Sequence, residues 1–287
     1  MPAWTWQWHP HPETWVLAAM LLGGYHLALR RIGPQRVRSG EPVATRGQRW
    51  SFTLGVLALL AAIEYPIHEL AEGYLYSAHM VQHLIMSLAV PPLILGGMPA
   101  WMVRAILPPP AMRLARRITR PFIALVIFNA TIVFIHWPLL VNTSVTNEPV
   151  HFLMHAVLLT ASFIMWMPVK SPVLELPRLS LPGQMFYLFL QSVVPTVPAS
   201  FLTFGTRPLY RVYETFQQPW GISALGDQQA AGLIMKLVGG FVLWGFIGVI
   251  FFRWAKIERG EGVDMLQMHA VERDVTKGLD EMEMVDR

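Results

Sequence analysis

Two pairs of histidines are the residues of this sequence best placed to do chemistry. His79 and His83 stand four residues apart, and so do His151 and His155. Side chains four apart on a helix point the same way, about 6 Å apart along its axis. Each pair therefore forms a two-nitrogen face if its segment is helical. Two such faces brought together would offer four imidazoles, which are ligands for copper, zinc, iron and nickel.

Other possible ligands lie on the same helix faces as the pairs. Met86 follows His83 by three residues, and Met154 follows His151 by three, which places each thioether on the face of its pair. Thioethers favour copper, and a carboxylate can orient an imidazole through its second ring nitrogen. The sequence has no cysteine, which excludes disulfides and thiolate sites. We therefore expect a metal or cofactor site built from His79, His83, His151, His155, Asp227, Met86 and Met154, and these residues leave copper, zinc, iron and nickel open as the ion.

The helices that would carry these residues are predicted to cross a membrane. Of the 287 residues, 54% are hydrophobic and 14% are charged, whereas soluble proteins have about 25% charged residues. Apolar runs of about 18 residues recur, and each is long enough for about 30 Å of hydrocarbon. The pattern predicts an all-α polytopic membrane helix bundle with seven spans, near Glu13–Arg30, Ser51–Ile67, Ala78–Gly97, Phe122–Leu140, His151–Val169, Gln184–Phe204 and Asp227–Phe252.

Loop charges predict how this bundle is oriented. The loops after the first and third spans are rich in arginine, whereas the intervening loops have few cations. The positive-inside rule then places the N-terminus outside and the C-terminus in the cytoplasm. We expect one transmembrane domain over residues 1–257 and a charged cytoplasmic tail over residues 258–287. Both histidine pairs would lie at the outer ends of their spans.

Several interpretations remain open for residues placed in this way. A histidine at the membrane surface can simply anchor its helix, and His136 and His68 are expected to be ordinary polar groups. One histidine from each pair could instead hold a single haem. Zinc is a further alternative, although the H-E-x-x-H signature of zinc proteases is absent from both pairs. Lys236 lies inside the seventh span and needs a partner or water there.

Other classes of function are not favoured. The net charge is +4, but the basic residues stand in short loops rather than in one patch, so nucleic acid is not an expected partner. Neither a nucleophile elbow nor a glycine-rich phosphate loop is present, which favours a non-enzymatic role.

Three segments, in order along the chain, resemble a known family. They are His79-Met-Val-Gln-His83 followed by Pro91-Pro92, His151-Phe-Leu-Met-His155 followed by Trp166 and Pro168, and Asp227-Gln-Gln-Ala-Ala-Gly232-Leu-Ile-Met235. The stretch from about Arg49 to Trp254 resembles the multi-spanning CtaG family of cytochrome c oxidase assembly factors. The resemblance implies a multi-pass protein of the bacterial plasma membrane that helps to assemble a haem-copper oxidase by delivering copper to its subunits.

The resemblance also assigns residues and shows one departure. The family's histidines correspond to His79, His83, His151 and His155, and its acidic motif corresponds to Asp227 and Gln228. Lys236 stands where the family usually has an aromatic residue.

Overall fold

The chain folds into a helix bundle in a computed structural model, which describes residues 8, 10–176, 178–216 and 219–260. These residues contain no β-strand. The predicted all-α fold is therefore confirmed for them, whereas most of the predicted tail lies outside them. The helices are α1 (Pro12–Arg31), α2 (Arg46–Gly73), α3 (Tyr76–Gly97), α4 (Ala100–Ile106), α5 (Pro109–Ile118), α6 (Pro121–Ile135), α7 (Pro138–Thr146), α8 (Glu148–Lys170), α9 (Leu181–Phe204) and α10 (Ala224–Gly260).

Five of these helices, α2, α3, α8, α9 and α10, are long and apolar enough to cross a membrane. Helices α5 and α6 pass the same test only together, and they are bent by 77° at their junction, so the total is five or six. Large side chains such as Phe122, Phe201 and Phe241 are 72–74% exposed on the bundle surface, as lipid contact requires. The chain is a multi-pass membrane protein. The predicted count of seven spans and the predicted orientation remain predictions.

Proline sets several helix boundaries that the apolar runs do not show. The predicted span Phe122–Leu140 is interrupted, because α6 ends at Ile135 and Pro138 begins α7. Proline has no N–H to donate and disfavours a helical conformation at the residue before it. The same effect divides α9, whose first segment ends at Val193 and whose second begins after Pro195.

Local capping fixes the start of α8, the helix that carries the second histidine pair. The side chain of Asn147 accepts a hydrogen bond from the backbone N–H of Val150 at 3.1 Å. An N-cap of this kind satisfies one of the free N–H groups at a helix start. Because His151 directly follows the capped turn, the cap also determines where the histidine face begins.

Helix α3 lies at the centre of the bundle and is the most buried of the five spans. It packs closely on α2, since a Cβ atom added to Gly97 would lie 2.4 Å from the backbone nitrogen of Phe52. On another side, Trp166 of α8 donates from Nε1 to the carbonyl of Ser87 at 2.9 Å. Small residues at helix contacts allow this close approach. The packing fixes the α3 histidines relative to α8.

Two spans contain a π-helical turn, at Ile85–Ala89 in α3 and at Ile234–Val238 in α10. Such turns rotate the residues that follow them and are common near functional sites. Lys236 lies in the turn of α10, and its Nζ is 5.9 Å from the ring centre of Phe204. A cation–π contact therefore accounts for part of the environment of this intramembrane lysine.

Candidate metal centre

Three histidines from two helices converge inside the bundle. His79 and His83 of α3 and His155 of α8 each offer a ring nitrogen, and these nitrogens all lie within 4.8 Å of one another. The ring centres are 4.1 Å apart for His79 and His83, 5.5 Å for His79 and His155, and 5.2 Å for His83 and His155. All three side chains are buried. The i, i+4 faces predicted from the sequence therefore do meet.

The nitrogens of this cluster have too few partners. Both ring nitrogens of His83 and Nε2 of His155 are buried without a hydrogen-bond partner in the described part of the chain. A buried polar group left unpaired costs about 1–3 kcal/mol. A neutral imidazole has one nitrogen lone pair, so three such rings this close together can bind one transition-metal ion. The arrangement fits an ion bound between α3 and α8.

His151, the fourth predicted ligand, lies at the edge of this cluster. Its ring centre is 4.2 Å from that of His155 and 5.7 Å from that of His79. Its Nδ1 lies 2.6 Å from Oε1 of Glu72 in α2. Since a carboxylate accepts, we assign the proton to Nδ1, which leaves Nε2 with a lone pair. His151 thus links the cluster to Glu72.

Asp227 accepts hydrogen bonds from the backbone of α3, the helix that carries His79 and His83. Its Oδ2 accepts from the backbone N–H of Tyr76 at 2.6 Å, and its Oδ1 accepts from that of Ser77 at 3.1 Å. These N–H groups belong to the first turn of α3, where a negative charge is favourable. We expected Asp227 to orient an imidazole, whereas in the structure its carboxylate joins α10 to the start of α3, just before His79.

The two predicted methionine ligands are buried in apolar surroundings. Met86 packs in a cluster with Leu59, Ala62 and Val90, on the side of α3 that faces α2. Met154 belongs to the main hydrophobic core. Packing accounts for both positions, since methionine fills irregular gaps in cores well. Their role as metal ligands remains a prediction.

His136, at the C-terminal end of α6, extends the cluster. Its Nδ1 is 2.7 Å from the carbonyl oxygen of Ile132, so Nδ1 carries the proton and Nε2 has the lone pair. That Nε2 is buried without a hydrogen-bond partner in the described residues. Neighbouring ring centres are 4.1–6.2 Å apart along an array that runs through His11, His68, His151, His155, His79, His83 and His136.

A cavity of about 430 Å³ lies beside the array, and its lining includes His79 and His151. Glu69, Glu72 and Glu148 also line it. Sequence analysis did not select Glu72, although its i, i+4 spacing from His68 was a usable signal. The structure brings the two side chains together, with His68 Nε2 3.2 Å from Glu72 Oε1. The cavity gives the buried histidines a polar opening.

Tyrosines cover another side of the cluster. Tyr210, in the segment between α9 and α10, donates from its hydroxyl to the carbonyl of His136 at 2.9 Å. Burial raises the pKa of Tyr210 to about 12, so the hydroxyl stays protonated and able to donate. The ring centre of Tyr76 is 4.6 Å from that of Tyr210 and 5.3 Å from that of Tyr213. Tyr76 also stacks on His79, with the ring centres 5.8 Å apart.

One comparison with known proteins gave a match. The model of the family described as cytochrome c oxidase caa3 assembly factor (Caa3_CtaG) matches residues 23–256. No curated protein and no solved structure matches the chain. The family match confirms the resemblance predicted from the sequence, and the matched range contains every residue of the three-histidine cluster.

Proposed function

The chain belongs to the family of cytochrome c oxidase caa3 assembly factors, and on this premise we propose that it binds a copper ion at His79, His83 and His155 and delivers it to an oxidase subunit. Copper is the cargo in this proposal. The observation that carries it is the group of three imidazole nitrogens, from two helices, within 4.8 Å of one another.

The donor set favours copper in its cuprous state. The three imidazoles are neutral ligands, so they do not offset the charge of the ion. Holding an uncompensated charge in a buried site is costly. That cost grows with the square of the charge, which favours a monovalent over a divalent ion. Nitrogen and thioether donors also suit Cu(I). Zinc binds three-histidine sites as well, so the metal is identified by measurement below.

Two neighbouring residues support the site. We assign His151 as an exchangeable fourth ligand, because its ring centre is 4.2 Å from that of His155 and its proton is held by Glu72. Asp227 is a positioning residue, since it fixes the first turn of α3 through two backbone N–H groups. A site with three firm ligands and one exchangeable ligand can release its ion to a recipient.

The haem alternative agrees less well with this geometry. A haem would lie between two histidines that bind opposite faces of its ring. Here one ring nitrogen from each of three histidines lies within 4.8 Å of the other two, and two of these histidines, His79 and His83, come from one helix. Three convergent nitrogens support a single bound ion more than a haem held between two histidines.

Membership in this family supports a proposal for where the site lies in the cell. We propose that the protein resides in the bacterial plasma membrane, with the histidine cluster at the outer face. Subunits of a cytochrome c oxidase are the recipients, and the protein performs no catalytic reaction of its own.

Metal analysis of the purified full-length protein tests the proposal. The protein in detergent is loaded with Cu(I), freed of excess metal and analysed for copper and zinc. We expect about one copper per chain, with strong losses in His83→Ala and in His155→Ala. His26→Ala is the matched control, because His26 is an exposed histidine on α1.

Three outcomes would contradict the proposal. Unchanged copper content in both cluster variants would exclude this site. A Soret band in the purified protein would favour the haem alternative. Normal oxidase assembly in cells that carry both substitutions would instead indicate a purely structural scaffold.

A further inference from the structure

Glu72 lies where the cavity meets the histidine array. One carboxylate oxygen, Oε1, is 3.2 Å from His68 Nε2 and 2.6 Å from His151 Nδ1. Two imidazoles and a carboxylate are a donor set that binds transition-metal cations. This group is distinct from the three-histidine cluster, because His68 and Glu72 come from α2 and only His151 is next to the cluster.

The cavity around Glu72 favours cations. The described residues that line it include Glu69, Glu72 and Glu148 but neither lysine nor arginine. A cleft lined by charges of one sign concentrates ions of the opposite sign and raises their association rates. His79, which belongs to the buried cluster, lines the same cavity. An ion attracted into the cavity therefore reaches residues of both groups.

Gln82 gives His68 a way to change which of its ring nitrogens carries the proton. Its Nε2 is 3.2 Å from His68 Nδ1, while its Oε1 is buried without a hydrogen-bond partner in the described residues. Rotation of the amide would let Oε1 accept from a proton on Nδ1 of His68. The lone pair of His68 would then move to Nε2, beside Glu72. Gln82 is completely buried, so its unpaired oxygen is costly in the present orientation of the amide.

We propose that His68, Glu72 and His151 form an uptake site, which binds a transition-metal cation from the cavity and passes it to His79, His83 and His155. This inference rests on the proposed function for the identity of the destination. His151 makes the connection, since its ring centre is 6.2 Å from that of His68 and 4.2 Å from that of His155. Transfer exchanges one imidazole for another, so the ion keeps its oxidation state. Both imidazoles bind as neutral rings, so no net proton is released. Binding at Nδ1 of His151 moves its proton to Nε2, and transfer to the buried cluster returns the proton to Nδ1.

The rate of copper loading tests the uptake site separately from the buried centre. Full-length protein in detergent is mixed with Cu(I) held by a coloured chelator, and both the rate and the final amount of transfer are recorded. We expect Glu72→Gln to load about tenfold more slowly, because the cavity loses its best-placed charge. The final stoichiometry should equal that of the wild type.

Two further variants make the test specific. Glu72→Asp retains the charge and should load faster than Glu72→Gln. Glu214→Gln removes an exposed carboxylate outside the cavity lining and should load like the wild type. If Glu72→Gln does not give folded protein, as judged by gel filtration, His68→Gln replaces it and is also expected to load slowly.

Each outcome bears on one of the two proposals. Wild-type loading rates in Glu72→Gln and His68→Gln would overturn the uptake site and leave the copper centre standing. A loss of final copper in Glu72→Gln as large as in His83→Ala would also overturn it, because Glu72 would then belong to the centre. Wild-type protein that takes up no copper at all would refute the proposed function itself.

Discussion

Replacing Asp227 with asparagine is expected to loosen the start of α3 and to weaken the bundle measurably. The carboxylate of Asp227 accepts two backbone hydrogen bonds, from Tyr76 at 2.6 Å and from Ser77 at 3.1 Å. Hydrogen bonds to a charged group contribute about 1.5–3 kcal/mol each. Asparagine keeps one acceptor oxygen but turns an NH2 group toward the second N–H, so we expect a loss of about 2 kcal/mol. Alanine removes both bonds, and we expect about 4 kcal/mol.

The free energy of unfolding in mixed micelles, followed by circular dichroism, measures these losses. Glu214→Gln is the control, because it neutralises an exposed carboxylate in the segment between α9 and α10. The Asp227→Asn protein should still retain more copper than His83→Ala, since Asp227 positions a helix rather than binding the ion. Equal stability of wild type, Asp227→Asn and Asp227→Ala would refute the argument. So would equal losses in the two variants, because the number of hydrogen bonds would then not matter.

Two further predictions concern the packing of α3. Gly97→Ala should destabilise the protein strongly, because the added Cβ would lie 2.4 Å from the backbone nitrogen of Phe52. Gly245 has open space around it, so Gly245→Ala is the control and should melt like the wild type. Equal melting temperatures of the two variants would contradict the close α2–α3 contact. Trp166→Phe removes the 2.9 Å hydrogen bond from Nε1 to the Ser87 carbonyl. We expect it to lower the free energy of unfolding by about 1–3 kcal/mol. A variant as stable as the wild type would show that this bond contributes nothing.

Much of the site could be predicted from local spacing. The separation of His79 from His83, and of His151 from His155, is enough to place each pair on one helix face. Apolar length was enough to predict membrane helices, and the family resemblance was confirmed over residues 23–256. Helix boundaries were less predictable. Proline interrupts apolar runs without making them less hydrophobic, as the break between α6 and α7 shows.

The helical, apolar character of the chain and the common face of each histidine pair can be read from the sequence, because these properties depend on residues only a few positions apart. Which histidines meet depends on the packing of the helices. It brings His155 to His79 and His83, connects His151 to Glu72, and joins Asp227 to the start of α3. These contacts depend on how α2, α3, α8 and α10 pack, and that packing results from close approaches such as the one at Gly97, between residues far apart in the chain.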